Sequence, residues 1–171
     1  DPGWTFTGWT FTTGMGSCAT TGGCFDTIDE NTTIRANFTQ NSYALNVIKT
    51  GTGTGTVVAN SGAINCGGVC TDNYLSNVIV QLTATPTTDT STFAGFSGAG
   101  CTTSPCNVTM DAAKQVTATF TLKSYALTVT KVGDGTISST PSGIACGNDC
   151  AQSYPHATAV TLAATPDTGY T

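Results

Sequence analysis

Charge is scarce in this sequence of 171 residues: five Lys+Arg stand against ten Asp+Glu, 9 % of the chain, for a net charge of −5. With so few cations and a pI near 4.3, no basic stripe can form to contact phosphates, which excludes nucleic acid as a partner. Long apolar runs are missing too. Mean hydropathy is +0.04, and no stretch approaches the roughly 18 consecutive apolar residues of a membrane helix, so no membrane insertion is expected. Histidine occurs once, as His156, which leaves no convincing Ser–His–carboxylate set. No Cys-x-x-Cys-His occurs, so covalent haem is excluded. Disorder is excluded from the other side: 39 % of residues are apolar, and few like charges repel one another.

What the chain does have is threonine and cysteine. Roughly three dozen threonines favour strands over helices. On outward positions their branched carbon suits a pleat while the hydroxyl meets water, giving solubility without charge. Eight cysteines fall in four close pairs: Cys18 with Cys24, Cys66 with Cys70, Cys101 with Cys106, and Cys146 with Cys150. An even count in spaced pairs, in a strand-rich chain of low charge, points to disulfides and an oxidising compartment. Turn-forming residues between partners (Gly67, Gly68, Ser104, Pro105, Gly147, Asn148) let each segment fold back far enough for a local bridge. Local pairing is therefore the expectation, with cross-pairing between the two clusters of one repeat as the alternative. Zinc or iron–sulfur ligation is disfavoured because the spacings are not those of the usual cysteine motifs; no metal or other cofactor is expected.

The chain repeats itself. Asn37-Phe38-Thr39 through Ser42-Tyr43-Ala44-Leu45 matches Thr119-Phe120-Thr121 through Ser124-Tyr125-Ala126-Leu127 at a spacing of 82 residues. Ala63-Ile64-Asn65-Cys66-Gly67 then matches Gly143-Ile144-Ala145-Cys146-Gly147, and Leu82 to Pro86 matches Leu162 to Pro166. Cys24 aligns with Cys106, and Ile34 with Val116. The period is one small domain per repeat. The expected organisation is the C-terminal half of a repeat in residues 1–40, a complete repeat in 41–122, and the N-terminal half of the next in 123–171. Asp167-Thr168-Gly169-Tyr170-Thr171 resembles Asp1-Pro2-Gly3-Trp4-Thr5, a phase that fits either a window on a longer array or a subunit whose halves are completed by neighbouring copies.

Period-two alternation defines three recurring strand types: Tyr43, Leu45, Val47 with Tyr125, Leu127, Val129; Val78, Val80, Leu82, Ala84 with Val160, Leu162, Ala164; and Val116, Ala118, Phe120 with Ile34, Ala36, Phe38. Asp134-Gly135 reads as a two-residue hairpin turn, with Gly51 to Gly55 at the matching place. Pro86 and Pro166 end their strands. Asp111 to Lys114 is the one stretch with helical character, a single turn at most. The fold expected is all-β, as tandem small β-sandwich or β-grasp-like repeats of five or six strands with disulfide-clamped loops.

The ordered set Leu-x-Val, Gly-x-Gly-Thr-Ile/Val, Gly-Ile-x-Cys-Gly-x-x-Cys, Val-x-Leu-x-Ala-x-Pro, Phe-x-Gly-aromatic, Cys-x-Val-x-Met-Asp and Val-Thr-Ala-x-Phe resembles the divergent internalin-B-type bacterial repeat over essentially the whole chain. That resemblance implies tandem, all-β, extracellular modules of bacterial surface and secreted proteins, without catalytic residues attached to the motif. Phe96 stands where the family usually has tryptophan, kept here as Trp9, and Asp26 replaces the apolar Val108.

Few residues invite chemistry. His156 follows Pro155 and corresponds to Ser76, so no shared catalytic role is available, and it is read as a solvent-facing loop residue. Asp26, Asp29 and Glu30 lack the order of a calcium loop and read as a solvated turn. Lys49, Lys114, Lys123 and Lys131 occupy no buried-looking position from which to form an isopeptide crosslink. Phe6 and Trp9 match Phe93 and Phe96 and are expected in the core. Trp4, Phe11 and Tyr170 are the candidates for an exposed or inter-subunit aromatic surface, where sugars can stack. Asn31, Asn37 and Asn107 are sequons of little weight in a bacterial protein. The expectation is a non-enzymatic structural module of an extracellular bacterial repeat protein, forming a surface fibre, stalk or filament. Its partners are copies of itself, head to tail or in tandem. The alternative is an adhesin or carbohydrate-binding module of a secreted protein, with glycans as partners.

Overall fold

A computed structural model describes residues 2–13, 17–18, 22–25, 27 and 30–169; among them the chain is all β, with no helix. In the first segment, β1 (Trp4–Thr13) and β4 (Thr33–Gln40) pair antiparallel, with the short ribbon β2 (Ser17–Cys18) and β3 (Cys24–Phe25) between them in sequence. The β1–β4 register sets Trp4 opposite Gln40 and Phe6 opposite Phe38, and it slips at Gly8, whose φ of 137° suits glycine.

The central repeat holds β5 (Ser42–Thr50), β6 (Gly55–Ala59), β7 (Thr71–Leu75), β8 (Ile79–Pro86), β9 (Ser91–Ser97), β10 (Cys106–Thr109) and β11 (Lys114–Leu122). These form two sheets, in the orders β7-β5-β11-β9 and β10-β8-β6. Alternation decides which side chains turn inward: Leu45 and Val47 on β5, Val57 on β6, Val80 and Leu82 on β8, Val108 on β10, and Val116, Ala118 and Phe120 on β11 are all buried. Full burial of each Val- or Leu-sized side chain contributes about 1.5–3 kcal/mol.

The third segment holds β12 (Ser124–Thr128), β13 (Gly135–Thr140), β14 (Ala145–Cys146), β15 (Ala151–Pro155) and β16 (Thr161–Pro166), in the sheets β12-β15 and β14-β13-β16. Its small core is Ile144, Cys146 and Tyr154, flanked by partly buried Leu127, Val129, Ile137, Cys150 and Val160. By contact density the chain forms two compact units. One comprises Asp1–Lys49, Thr56–Ala84 and Gly95–Ala118; the other comprises Thr50–Gly55, Thr85–Ala94 and Thr119–Thr171.

Several local expectations are corrected. The central repeat has seven strands rather than five or six, because the segments before and after the Cys101–Cys106 loop each contribute one. Asp134-Gly135 and Gly51 to Gly55 do not close hairpins. They connect β12 to β13 and β5 to β6, strands that lie in different sheets, so the glycines serve a change of layer. Val78 precedes β8 and is exposed. Asp111 to Lys114 is a bend leading into β11, held by a 2.6 Å ion pair between Lys114 Nζ and Asp111 Oδ1 that keeps the Asp111 carboxyl below its ordinary range.

Candidate functional site: repeat seams and uncovered half-repeat faces

One residue separates consecutive segments. Asn41 lies between β4 and β5, and Lys123 between β11 and β12. Both backbone groups of Asn41 are used: its N–H donates to Gly3 O at 2.8 Å, and its carbonyl accepts from Ser76 N–H at 2.8 Å. Lys123 repeats the arrangement, donating to Thr90 O at 2.8 Å and accepting from His156 N–H at 2.7 Å. Side chains add to each seam. Thr5 Oγ1 donates to Asn41 Oδ1 at 2.6 Å, and Gln40 Nε2 donates to Ser76 O at 2.8 Å. At the second seam Lys123 Nζ donates to Thr88 O, and Tyr125 OH donates to Asp89 O at 2.9 Å. Each hydrogen bond nets only about 0.5–1.5 kcal/mol, but four converging on one link residue leave the chain little freedom there.

The clamps recur as closely as the seams. Cys66–Cys70 and Cys146–Cys150 each close a loop with Cα atoms 4.4 Å apart, and Cys101–Cys106 closes one at 5.7 Å. Cys24 is also disulfide-bonded and lies opposite Cys18 in the β2–β3 register. Among the described residues no cysteine is free. Each of the first two loops is tied to its neighbouring strand by the same bond, Val47 N–H to Cys70 O and Val129 N–H to Cys150 O, both 2.8 Å. A tyrosine braces each loop's far side: Tyr74 OH donates to Ser61 O at 2.8 Å, and Tyr154 OH lies 2.8 Å from Ser139 Oγ. Burial, with the Asp72 carboxylate adding to it, pushes the Tyr74 hydroxyl above its ordinary pKa.

The two flanking halves expose what the central repeat buries. On β11, Val116, Ala118 and Phe120 are buried, whereas their counterparts on β4 are half-buried Ile34 and Ala36 and exposed Phe38. Leu82 is fully buried on β8, while its counterpart on β16, Leu162, is 43 % exposed. In the third segment a pocket of about 400 Å³ opens between the start of β13 and the end of β16, lined among others by Lys131, Val132, Gly135, Ile137 and Ala164. β6 begins at Gly55 as β13 begins at Gly135, and there the Phe120 ring fills the corresponding space: a Cβ on Gly55 would fall 2.7 Å from Phe120 Cδ1.

The residues singled out from the sequence are scattered relative to these features. Trp4 is 48 % exposed on β1, Phe11 is half-buried, and Tyr170 lies outside the described residues, as do Asp26 and Asp29. Glu30 is exposed. Phe6 and Trp9 were expected in a core but are only half-buried. They pack on one another with centroids 5.2 Å apart, and no second sheet covers β1 and β4 among the described residues. His156 is not solvent-facing: it is half-buried in the second seam, its ring 6.0 Å from that of Tyr125. The described residues contain no group of three or more His, Cys, Asp or Glu placed to hold a metal. Sequence reasoning missed the exposure of Phe38 and the small-residue floor at Gly135. The repeat alignment carried that signal, since both positions have central counterparts.

No curated protein and no solved structure matches the chain. The model of the divergent InlB B-repeat domain matches residues 1–42, 45–124 and 125–171, nearly the whole length. With its strand content, tandem recurrence and local disulfides, the chain belongs to the divergent InlB B-repeat domain family and is a bacterial repeat module.

Proposed function

We propose that the protein is a non-catalytic structural module of an extracellular bacterial repeat protein, building a fibre, stalk or filament from tandem β-repeats. The observation that carries this reading is the pair of seams: Asn41 and Lys123 are each held through both backbone groups by the same two bonds, so consecutive repeats meet in a fixed way rather than through a flexible linker. Disulfide-clamped loops and threonine-covered strands suit endurance in an oxidising environment outside the cell. The organisation into a half-repeat at 1–40, a complete repeat at 41–122 and a half-repeat at 123–171 supports growth by completion of halves, head to tail. Electron microscopy of the purified chain tests the reading: filaments or rods with a regular axial repeat are expected, and isolated globules at all concentrations reject it.

A second reading is favoured by one observation, the 48 % exposure of Trp4 beside half-buried Phe11 on β1: an adhesin or carbohydrate-binding surface on which a sugar ring stacks. A glycan-array signal abolished by Trp4→Ala, with folding intact, supports it; an empty array removes it.

A further inference from the structure

We infer that the pocket at Gly135 is the seat for Phe38 of a second copy of this chain, docked so that β4 of that copy adds to the free edge of β12. The inference rests on the fibre-building reading above and names its joint.

The central repeat is the template. There the sheet order is β7-β5-β11-β9. The third segment contains the counterparts of the first two strands, paired as β15-β12, and the first segment contains the counterparts of the last two, paired as β4-β1. Placing β4 of one copy beside β12 of another gives β15-β12-β4-β1, the central order restored across two molecules. This is β-strand addition to an open edge, in which backbone hydrogen bonds supply affinity and side-chain pockets supply register.

The side chains agree with the strands. Phe120 packs on its cross-strand neighbour Phe93 with centroids 5.5 Å apart and is 1 % exposed, its ring against Gly55. Phe38 packs on Phe6 in the same way, at 5.3 Å, yet is 56 % exposed. The knob is therefore built and its cover is absent from the first segment. The third segment has the reverse: Gly135, Ile137 and Ala164 line a pocket of about 400 Å³. Each molecule thus carries one knob and one socket on different segments, so the contact is heterologous and propagates as an open chain of subunits unless its rotation closes a ring.

Two variants of the full chain test this. Phe38→Ser removes the knob and leaves the socket; Ala164→Trp fills the socket and leaves the knob. Light scattering coupled to size exclusion should show wild type growing with concentration. Each variant alone should stay at the 17.3 kDa monomer, with an apparent dissociation constant raised roughly thirtyfold or more, the scale of losing a buried aromatic anchor. An equimolar mixture should give a dimer that grows no further, because the one intact knob meets the one intact socket. That rescue also proves both variants folded. Phe38→Leu, which keeps an apolar knob, should retain partial assembly. Wild type that stays monomeric overturns the proposal together with self-assembly. Variants that assemble as wild type does, or folded variants whose mixture gives no dimer, overturn the joint alone and leave the fibre reading standing.

Discussion

Phe38 and Phe120 stand 82 residues apart at the same place in the repeat, and each packs on a cross-strand phenylalanine at almost the same distance, 5.3 and 5.5 Å. One is 56 % exposed and the other 1 %. Identical local chemistry thus has two energetic meanings, set by whether a second layer lies over it.

The first prediction follows directly. Phe120→Ala should destabilise the chain by about 3–5 kcal/mol, the range for emptying a buried aromatic site. Phe38→Ala in dilute protein should cost less than half as much, since much of its ring already meets water. Chemical denaturation of both variants at low concentration measures this; equal losses would mean that the Phe38 face is covered in the free chain.

The clamps make a second. Non-reducing peptide mapping should recover Cys66–Cys70, Cys101–Cys106 and Cys146–Cys150 as local pairs. Replacing Cys66 and Cys70 together by alanine should cost about 2 kcal/mol, the loop-entropy scale for so short a ring. Recovery of bridges joining different loops would refute the local scheme.

Alkaline pH should weaken the central repeat. The folded state holds the Tyr74 proton above its ordinary value through burial and the Asp72 carboxylate, so the unfolded chain gives up that proton first. The associated stability is fully present below about pH 10 and is lost as pH rises through the folded-state value. Tyr74→Phe should flatten this slope at the cost of the bond to Ser61 O. Denaturant midpoints across alkaline pH compare the two.

Opening one seam should leave the other intact. Gly3 has φ +88°, and a Cβ there would fall 2.8 Å from Ser76 Cβ, so Gly3→Ala is strained in both backbone and space and should cost more than about 1 kcal/mol. Hydrogen exchange should quicken at the Asn41 amide, which donates to Gly3 O, and stay unchanged at the Lys123 amide, which donates to Thr90 O.

Strand identity, repeat phase and the inward set were legible because they are local or periodic: alternation places Leu45, Val80 and Val116 inward whatever surrounds them, and the 82-residue spacing aligns Phe38 with Phe120. Cysteine pairs separated by only a few residues set their own loops. Pairing between strands distant in sequence was not legible. A glycine turn looks the same whether it reverses a hairpin or changes layer, so Gly51 to Gly55 and Asp134-Gly135 became clear only with the sheet orders. The burial of His156 against Tyr125 likewise depends on a neighbour more than thirty positions away in sequence. The sequence by itself determined that this is a repeating β chain with clamped loops, since period and propensity act over a few bonds. Only the tertiary structure decided which apolar faces are covered, because burial is a property of the layers that meet and not of the strand that carries the residue.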